Sequence, residues 1–334
     1  MKQLIRICLI ASLSAGFCAC ANPSESQAQE GGEENKETLN IVTTIFPAYE
    51  WCREVIGENP SGVKLDFLLD SGADLHSYQP TALDMLEIAE ADLFVYVGGE
   101  SDKWTKDALK QAVNPDLEAV SLMELLSSHI KEEEIVEGME EEEEEHEEAE
   151  EEAEYDEHVW LSLRNAMEAV TEIADILSSK DAANAAVYQS NAKAYIGKLQ
   201  ALDTQYTDAV NHAEVKTLLF ADRFPFRYLT DDYGLDYFAA FAGCSAETEA
   251  SFETILFLSH KVDELNLHHV MTIENNDEKI AKTVIDNTQN KNQNILHLDS
   301  MQNITAKDAE NGVTYLSVME DNLLVLKQAL ENRE

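Results

Sequence analysis

The sequence predicts an α/β fold of two lobes, each with a mainly parallel sheet flanked by helices, joined by one long rigid helix. Three observations predict it. From Thr38 onward, short runs of apolar and β-branched residues alternate with longer helical stretches, which is the pattern of parallel-sheet proteins. Between Ala182 and Ala213 the chain has no proline, one glycine and many Ala, Lys, Gln and Leu. That stretch reads as a single helix of roughly 45 Å at about 1.5 Å per residue. It also falls between two sets of candidate strands, so it acts as a stiff strut between lobes, with a ligand site in the cleft they enclose.

Taken from the start, Lys2 and Arg6 precede an apolar run from Ile7 to Phe17, the layout of an export signal and too short to span a bilayer. Ala19 is the small residue a cleavage site needs, so residues 1–19 are expected to be a lipoprotein signal peptide and Cys20 the lipidated first residue. An ordinary cleaved signal with incidental cysteines is the alternative. The lipid would anchor the protein in the bilayer, at the outer face of the cytoplasmic membrane. Residues 20–37, rich in Ser, Glu, Gln, Asn and Gly, read as a solvated tether.

The first lobe is expected over 38–180. Its candidate strands are Leu39–Ile45, Val63–Leu68 and Leu93–Val97, and its candidate helices Pro47–Ile56, Ala82–Ala89, Lys103–Ala112 and Leu161–Leu177. Pro47 and Pro80 suit helix starts, where proline sacrifices no hydrogen bond. The linking helix takes 181–213 and the second lobe 214–334. There the candidate strands are Thr217–Phe220, Tyr237–Phe241, Val270–Ile273 and Ile295–Leu298, with helices at Ser251–Leu265, Glu278–Asn287 and Thr314–Leu330.

Composition narrows the partners. The net charge of −43 excludes nucleic acid and anionic lipid headgroups as natural partners and favours cations. Much of that charge is local: 18 of the 26 residues from Glu132 to Glu157 are Asp or Glu, with one histidine, His146. Such a block repels itself, so 132–157 reads as a mobile acidic loop, either a weak cation collector or a solvated insertion. Cys52 and Cys244 lie far apart in the sequence, in different lobes, and are treated as free thiols.

In open parallel sheets, ligands bind beyond the carboxyl ends of the strands. The residues that follow the candidate strands there are rich in metal-ligand chemistry. Asp70, Asp74 and His76 follow Val63–Leu68, Asp222 follows Leu218–Phe220, Glu274 follows Val270–Ile273, and Asp299 follows Ile295–Leu298. The run Tyr155–Trp160 adds His158 just before a helix. Imidazoles with carboxylates hold zinc, manganese or iron, and more histidine shifts the preference toward zinc. Each residue also has an ordinary structural explanation. His76 suits a loop histidine bonded to backbone, His158 can pack at a lobe edge, and Glu274 or Asp299 can cap the following helix. His129, His212, His260, His268, His269 and His297 sit in helical or strand patterns and are assigned no ligand role.

These segments resemble the metal-binding lipoproteins that serve as solute-binding components of bacterial ABC importers for zinc and manganese, the cluster A-I type. The resemblance covers nearly the whole mature chain. Gly72-Ala73-Asp74-Leu75-His76-Ser77-Tyr78-Gln79-Pro80 is similar to the family's G-x-D-P-H-x-Y-x-P, and Asp156-Glu157-His158-Val159-Trp160-Leu161 to its D-P-H-V-W-x. The run Val97–Trp104, which contains Glu100, is similar to a G-x-x-x-E-x-W stretch. Leu298-Asp299-Ser300-Met301, followed by Gly312–Leu316 and Asn322-Leu323, is similar to the segment that carries the family's fourth ligand.

The resemblance implies that His76, His158 and Asp299 ligate a divalent ion, Zn2+ first and Mn2+ as the alternative. It also implies a monomer whose nearly fixed lobes hand the ion to the membrane permease of an ABC importer. One departure stands out: the position of the family's third ligand falls on Arg223, which cannot ligate a cation. Asp222 beside it is the substitute, with Glu274, Glu100 or water as alternatives. Competing functions are a manganese or iron importer component, a metal-binding adhesin that uses the acidic face, and a metal-dependent hydrolase. For the last, the sequence offers no H-E-x-x-H, G-x-S-x-G or dinucleotide fingerprint, so no enzymatic reaction is assigned.

Overall fold

The computed structural model describes residues 38–57, 62–140, 154–245 and 249–332. The expected signal peptide, Cys20, the tether and the centre of the acidic stretch lie outside the described residues. The first half of the fold runs β1 (Leu39–Thr43), α1 (Phe46–Ile56), β2 (Val63–Phe67), α2 (Ala82–Glu90), β3 (Leu93–Tyr96), α3 (Thr105–Lys110), β4 (Glu118–Ser121), α4 (Leu122–Leu125), α5 (Leu163–Lys180) and α6 (Ala185–Asn211). The second half runs β5 (Thr217–Phe224), α7 (Arg227–Tyr233), β6 (Asp236–Ala242), α8 (Phe252–Glu264), β7 (His269–Ile273), α9 (Lys279–Asp286), β8 (Asn294–Leu298), α10 (Ala306–Glu310) and α11 (Tyr315–Glu331).

Both sheets are four-stranded and parallel, with orders β2-β1-β3-β4 and β6-β5-β7-β8. Each order reverses direction beside its first strand, which opens a crevice at the carboxyl ends. Strand β5 shows why both faces must be covered: Leu218 and Phe220 belong to one hydrophobic cluster and Leu219 and Ala221 to another. Alternate side chains thus enter opposite layers. A bulge between Phe220 and Arg223 then shifts the register against β6, and bulges re-aim the side chains that follow.

Helix α6 stands between the two strand sets. Tyr188, Ala192, Tyr195, Leu199, Leu202, Tyr206 and Val210 are its buried residues besides Asp203, a three-and-four spacing that forms one apolar stripe. Tyr206 Oη donates to Met319 O of α11 at 2.7 Å, while Asp203 accepts from Arg164 of α5 and Tyr233 of α7. One continuous core contains Ile41 and Phe94 of the first sheet, the α6 stripe, and Phe220 and Leu326 of the second half. Each large apolar side chain buried there stabilises the fold by roughly 1.5–3 kcal/mol.

Several elements differ from the sequence expectation. β4 carries only Ala119 and Val120 as apolar residues, too few to register as a strand. α7 sits between Pro225 and Gly234, and Gly234 closes it in the left-handed conformation with φ 69°. The helix after Pro80 starts at Ala82 as expected, where Thr81 caps it through a reciprocal bond pair with Asp84.

The acidic loop expected over 132–157 is narrower than that range. Lys131 to Glu133 pair antiparallel with Glu154 to Asp156, through Glu133 N–Glu154 O at 2.9 Å, Asp156 N–Lys131 O at 3.0 Å and a Glu132–Tyr155 bridge. Glu134 is held by Arg227, Met139 is buried, and Glu140 N donates to Ala240 O of β6 at 2.9 Å. Self-repulsion is offset here because Glu133, Glu134 and Glu140 find partners on the second half of the chain, Cys244 N, Arg227 and Ala240 O.

Glu50 of α1 is fully buried beside Arg53. Burial pushes its carboxyl from 4.5 up to about 7, against the opposing pull of Arg53. A raised carboxyl favours folding fully below its unfolded value and loses that contribution as pH climbs through the folded value. Glu50→Gln is therefore expected to gain roughly 1–3 kcal/mol on the parent between pH 5 and pH 8. Urea unfolding at both pH values checks this, and parallel pH profiles for the two proteins would refute it.

Candidate metal centre

His76 sits in the loop that leaves β2. Leu68 N and Leu69 N bond back to Thr43 O and Thr44 O, which prolongs the pairing of β1 and β2. Gly72 then turns at φ +75° with its α-carbon so close to the second half that a Cβ would lie 2.8 Å from Asn303 O. Only glycine fits that approach. Asp74 accepts from His76 N at 2.9 Å and starts the short 3-10 turn Leu75–Ser77. The imidazole is oriented through Nδ1, 2.7 Å from Ser101 Oγ and 3.7 Å from Glu157 Oε2. Ser101 lies in the loop after β3, which Asp102 folds by accepting from Val97 N and Gly98 N.

His158 is fully buried. Asp156 Oδ1 accepts from its backbone N at 2.8 Å and lies 3.0 Å from its Nδ1, the carboxylate–histidine pairing that orients metal ligands. The segment itself is locked from the second half of the chain. Tyr228 Oη donates to Asp156 O at 2.7 Å, Trp160 Nε1 donates to Ser300 O at 2.9 Å, and Tyr315 Oη donates to Trp160 O at 2.7 Å.

Both Nδ1 atoms face oxygens, so the Nε2 atoms turn toward each other and stand 3.2 Å apart. Two ligands of a tetrahedral zinc, each at about 2.0–2.1 Å, are separated by about 3.3 Å. Burial, with the second imidazole beside it, holds His76 down at about 3, so this ring is uncharged and able to ligate at neutral pH. Glu157 Oε2 is buried there without a hydrogen bond, an uncompensated negative group that a cation would satisfy. Beside the pair, a cleft of about 860 Å³ runs between Asp74, His76 and Ser77 on one side and Asp222, Arg223, Glu274 and Asn303 on the other.

The structure brings His76 and His158 together with Cys244: ligand atoms of the three lie within 4.8 Å of one another, the one such group among the described residues. It does not bring the other candidates to that group. Glu100 is exposed and pairs with Lys103. Asp222, the proposed substitute, is committed within its own sheet, where it accepts from Ile273 N at 3.0 Å, Asn276 Nδ2 at 2.7 Å and Arg223 N at 2.8 Å. The bulge in β5 aims it toward β7 rather than across the cleft. Arg223 reaches across instead and pairs with Asp74 at 2.9 Å.

Glu274 accepts from Ser300 N and Oγ at 2.7 and 2.6 Å and from Asn303 Nδ2. Asp299 accepts from Met301 N at 2.7 Å, and burial together with the nearby Glu274 charge raises its carboxyl to about 7. Cys52 and Cys244 are both free thiols. Cys244, two residues beyond β6, is legible in the sequence only as a free thiol, since a lone cysteine carries no ligand spacing of its own.

Residues 41–329 match the family described as "Zinc-uptake complex component A periplasmic". The chain is 33% identical over 327 residues to the zinc-binding lipoprotein AdcA of Streptococcus pneumoniae, covering 97% of this chain and 60% of that protein. It therefore spans about 60% of that relative's length. It is 30% identical over 332 residues to the high-affinity zinc uptake system protein ZnuA of Bacillus subtilis, covering 98% of each. The crystal structure of the Zn(II)-bound ZnuA-like domain of S. pneumoniae AdcA shares the fold with a TM-score of 0.68 at 28% identity, over 88% of this chain and 99% of that one.

Trp160→Phe retains a large ring but removes the donor to Ser300 O, in a residue that is fully buried. The expected cost is roughly 1–3 kcal/mol, read as a lower midpoint of urea unfolding at unchanged slope. An unchanged midpoint would show that this bond contributes nothing to the lock.

Proposed function

Because the chain belongs to the zinc-uptake complex component A family, we propose that it is an extracytoplasmic solute-binding lipoprotein that captures Zn2+ between its lobes. It delivers the ion to the membrane permease of an ABC importer. The observation that carries this reading is the pair of oriented imidazoles, His158 fully buried and His76 partly so, with Nε2 atoms 3.2 Å apart. His76 and His158 supply nitrogen ligands, and Asp156 and Ser101 hold the rings in place from behind. Anchoring through a lipidated Cys20 keeps the protein beside the permease at the outer face of the membrane, where it acts as a monomer. The names of the relatives, a zinc-binding lipoprotein and a zinc uptake system protein, favour zinc over manganese.

The shared core limits wide opening of the lobes. Release then proceeds by local movement of the loops that carry the ligands when the protein docks on the permease. The role is transport, with zinc as cargo, and no chemical turnover is assigned to the site.

Native mass spectrometry of the chelator-stripped protein re-exposed separately to Zn2+ and Mn2+ is expected to show one tightly held zinc and little manganese. His76→Ala and His158→Ala should each lower zinc affinity by orders of magnitude. Asp156→Asn, which leaves both imidazoles in place, should lower it roughly 10–100-fold. Unchanged binding in both histidine variants would refute the assignment.

A further inference from the structure

We propose that Cys244 is a ligand of the bound ion, so that the site holds zinc through two imidazoles and one thiolate. The inference rests on the zinc-capture reading and adds the identity of its third donor. The ligand atoms of His76, His158 and Cys244 lie within 4.8 Å of one another, within reach of the roughly 3.5 Å nitrogen–sulfur edge of a tetrahedral zinc site. No carboxylate among the described residues joins them.

The turn that carries the thiol is built against the imidazole. A Cβ on Gly243 would lie 2.9 Å from Phe224 O and 3.1 Å from His158 Cε1, so only a glycine lets the backbone pass this close. Cys244 N donates to Glu133 Oε1 at 3.1 Å, and Arg223 Nη1 reaches Ser245 O at 3.5 Å. The turn is thereby tied on one side to the acidic segment and on the other to the strand bulge. Arg223, whose guanidinium pairs with Asp74, acts as a positioning residue for this turn and not as a ligand.

On binding, the sulfur–zinc bond forms as the Cys244 proton leaves to solvent. Thiolate is a soft donor that suits zinc, whereas manganese favours oxygen ligands. Three protein ligands leave the fourth tetrahedral position to water, which suits a site that must surrender its ion.

The test uses the full chain in detergent, stripped with chelator. Zinc-edge X-ray absorption of the zinc-loaded parent is expected to show one sulfur at about 2.3 Å. Cobalt-loaded parent should show a near-ultraviolet thiolate-to-cobalt charge-transfer band that Cys52→Ser keeps and Cys244→Ser loses. Zinc affinity of Cys244→Ser should fall by more than the roughly 10–100-fold that loss of an outer-shell partner costs. If the parent holds zinc with nitrogen and oxygen neighbours alone, or cobalt without the band, Cys244 is not a ligand while zinc capture stands. If the stripped parent takes up neither metal, zinc capture fails and this inference with it.

Discussion

The segment from Asp156 to Leu161 is the piece on which the site depends, and Trp160 is what holds it. Its indole N–H reaches Ser300 O while its own carbonyl receives Tyr315 Oη. Both partners come from the second half of the chain, whereas His158, two residues earlier, faces His76 of the first. One short turn is therefore shared by both lobes. Any opening of the cleft must break buried hydrogen bonds or move the turn with one lobe, and unmade buried bonds cost more than made ones gain. The continuous core around α6 works in the same direction, because separating the lobes would expose side chains common to both.

Within that frame the electrostatics are arranged for a cation. The two imidazoles turn their Nε2 atoms toward each other, 3.2 Å apart. The acidic groups Asp156 and Glu157 lie behind the rings. Two cationic side chains line the cleft: Lys279, which pairs with Asp277, and Arg223, which is neutralised by Asp74 rather than aimed at the imidazoles.

Much of this was legible in the sequence. Apolar and β-branched runs marked seven of the eight strands among the described residues, since parallel strands buried on both faces read as continuous apolar stretches. The eighth, β4, is a short edge strand with little apolar content, so no pattern announced it. His76 and His158 stood out because each follows or precedes a regular element at the cleft end, and the structure brings them together. The aim of Asp222 was not legible. It depends on a bulge after Phe220, and one displaced residue turns a side chain from the cleft into its own sheet. Cys244 lay hidden for another reason: a lone thiol in sequence resembles core filler until the turn at Gly243 is seen to pass against the imidazole.

The antiparallel closure at Lys131–Glu133 and Glu154–Asp156 separates two properties that usually travel together, the length of an insertion and the geometry of the residues beside it. Once the ends are joined, each doubling of the intervening chain costs only about 0.6 kcal/mol of closure entropy. His158 begins immediately beyond that closure. Acidic residues can therefore be gained or lost between its two sides over evolutionary time while the imidazole keeps its place, leaving the net charge of the chain free to drift without disturbing the site.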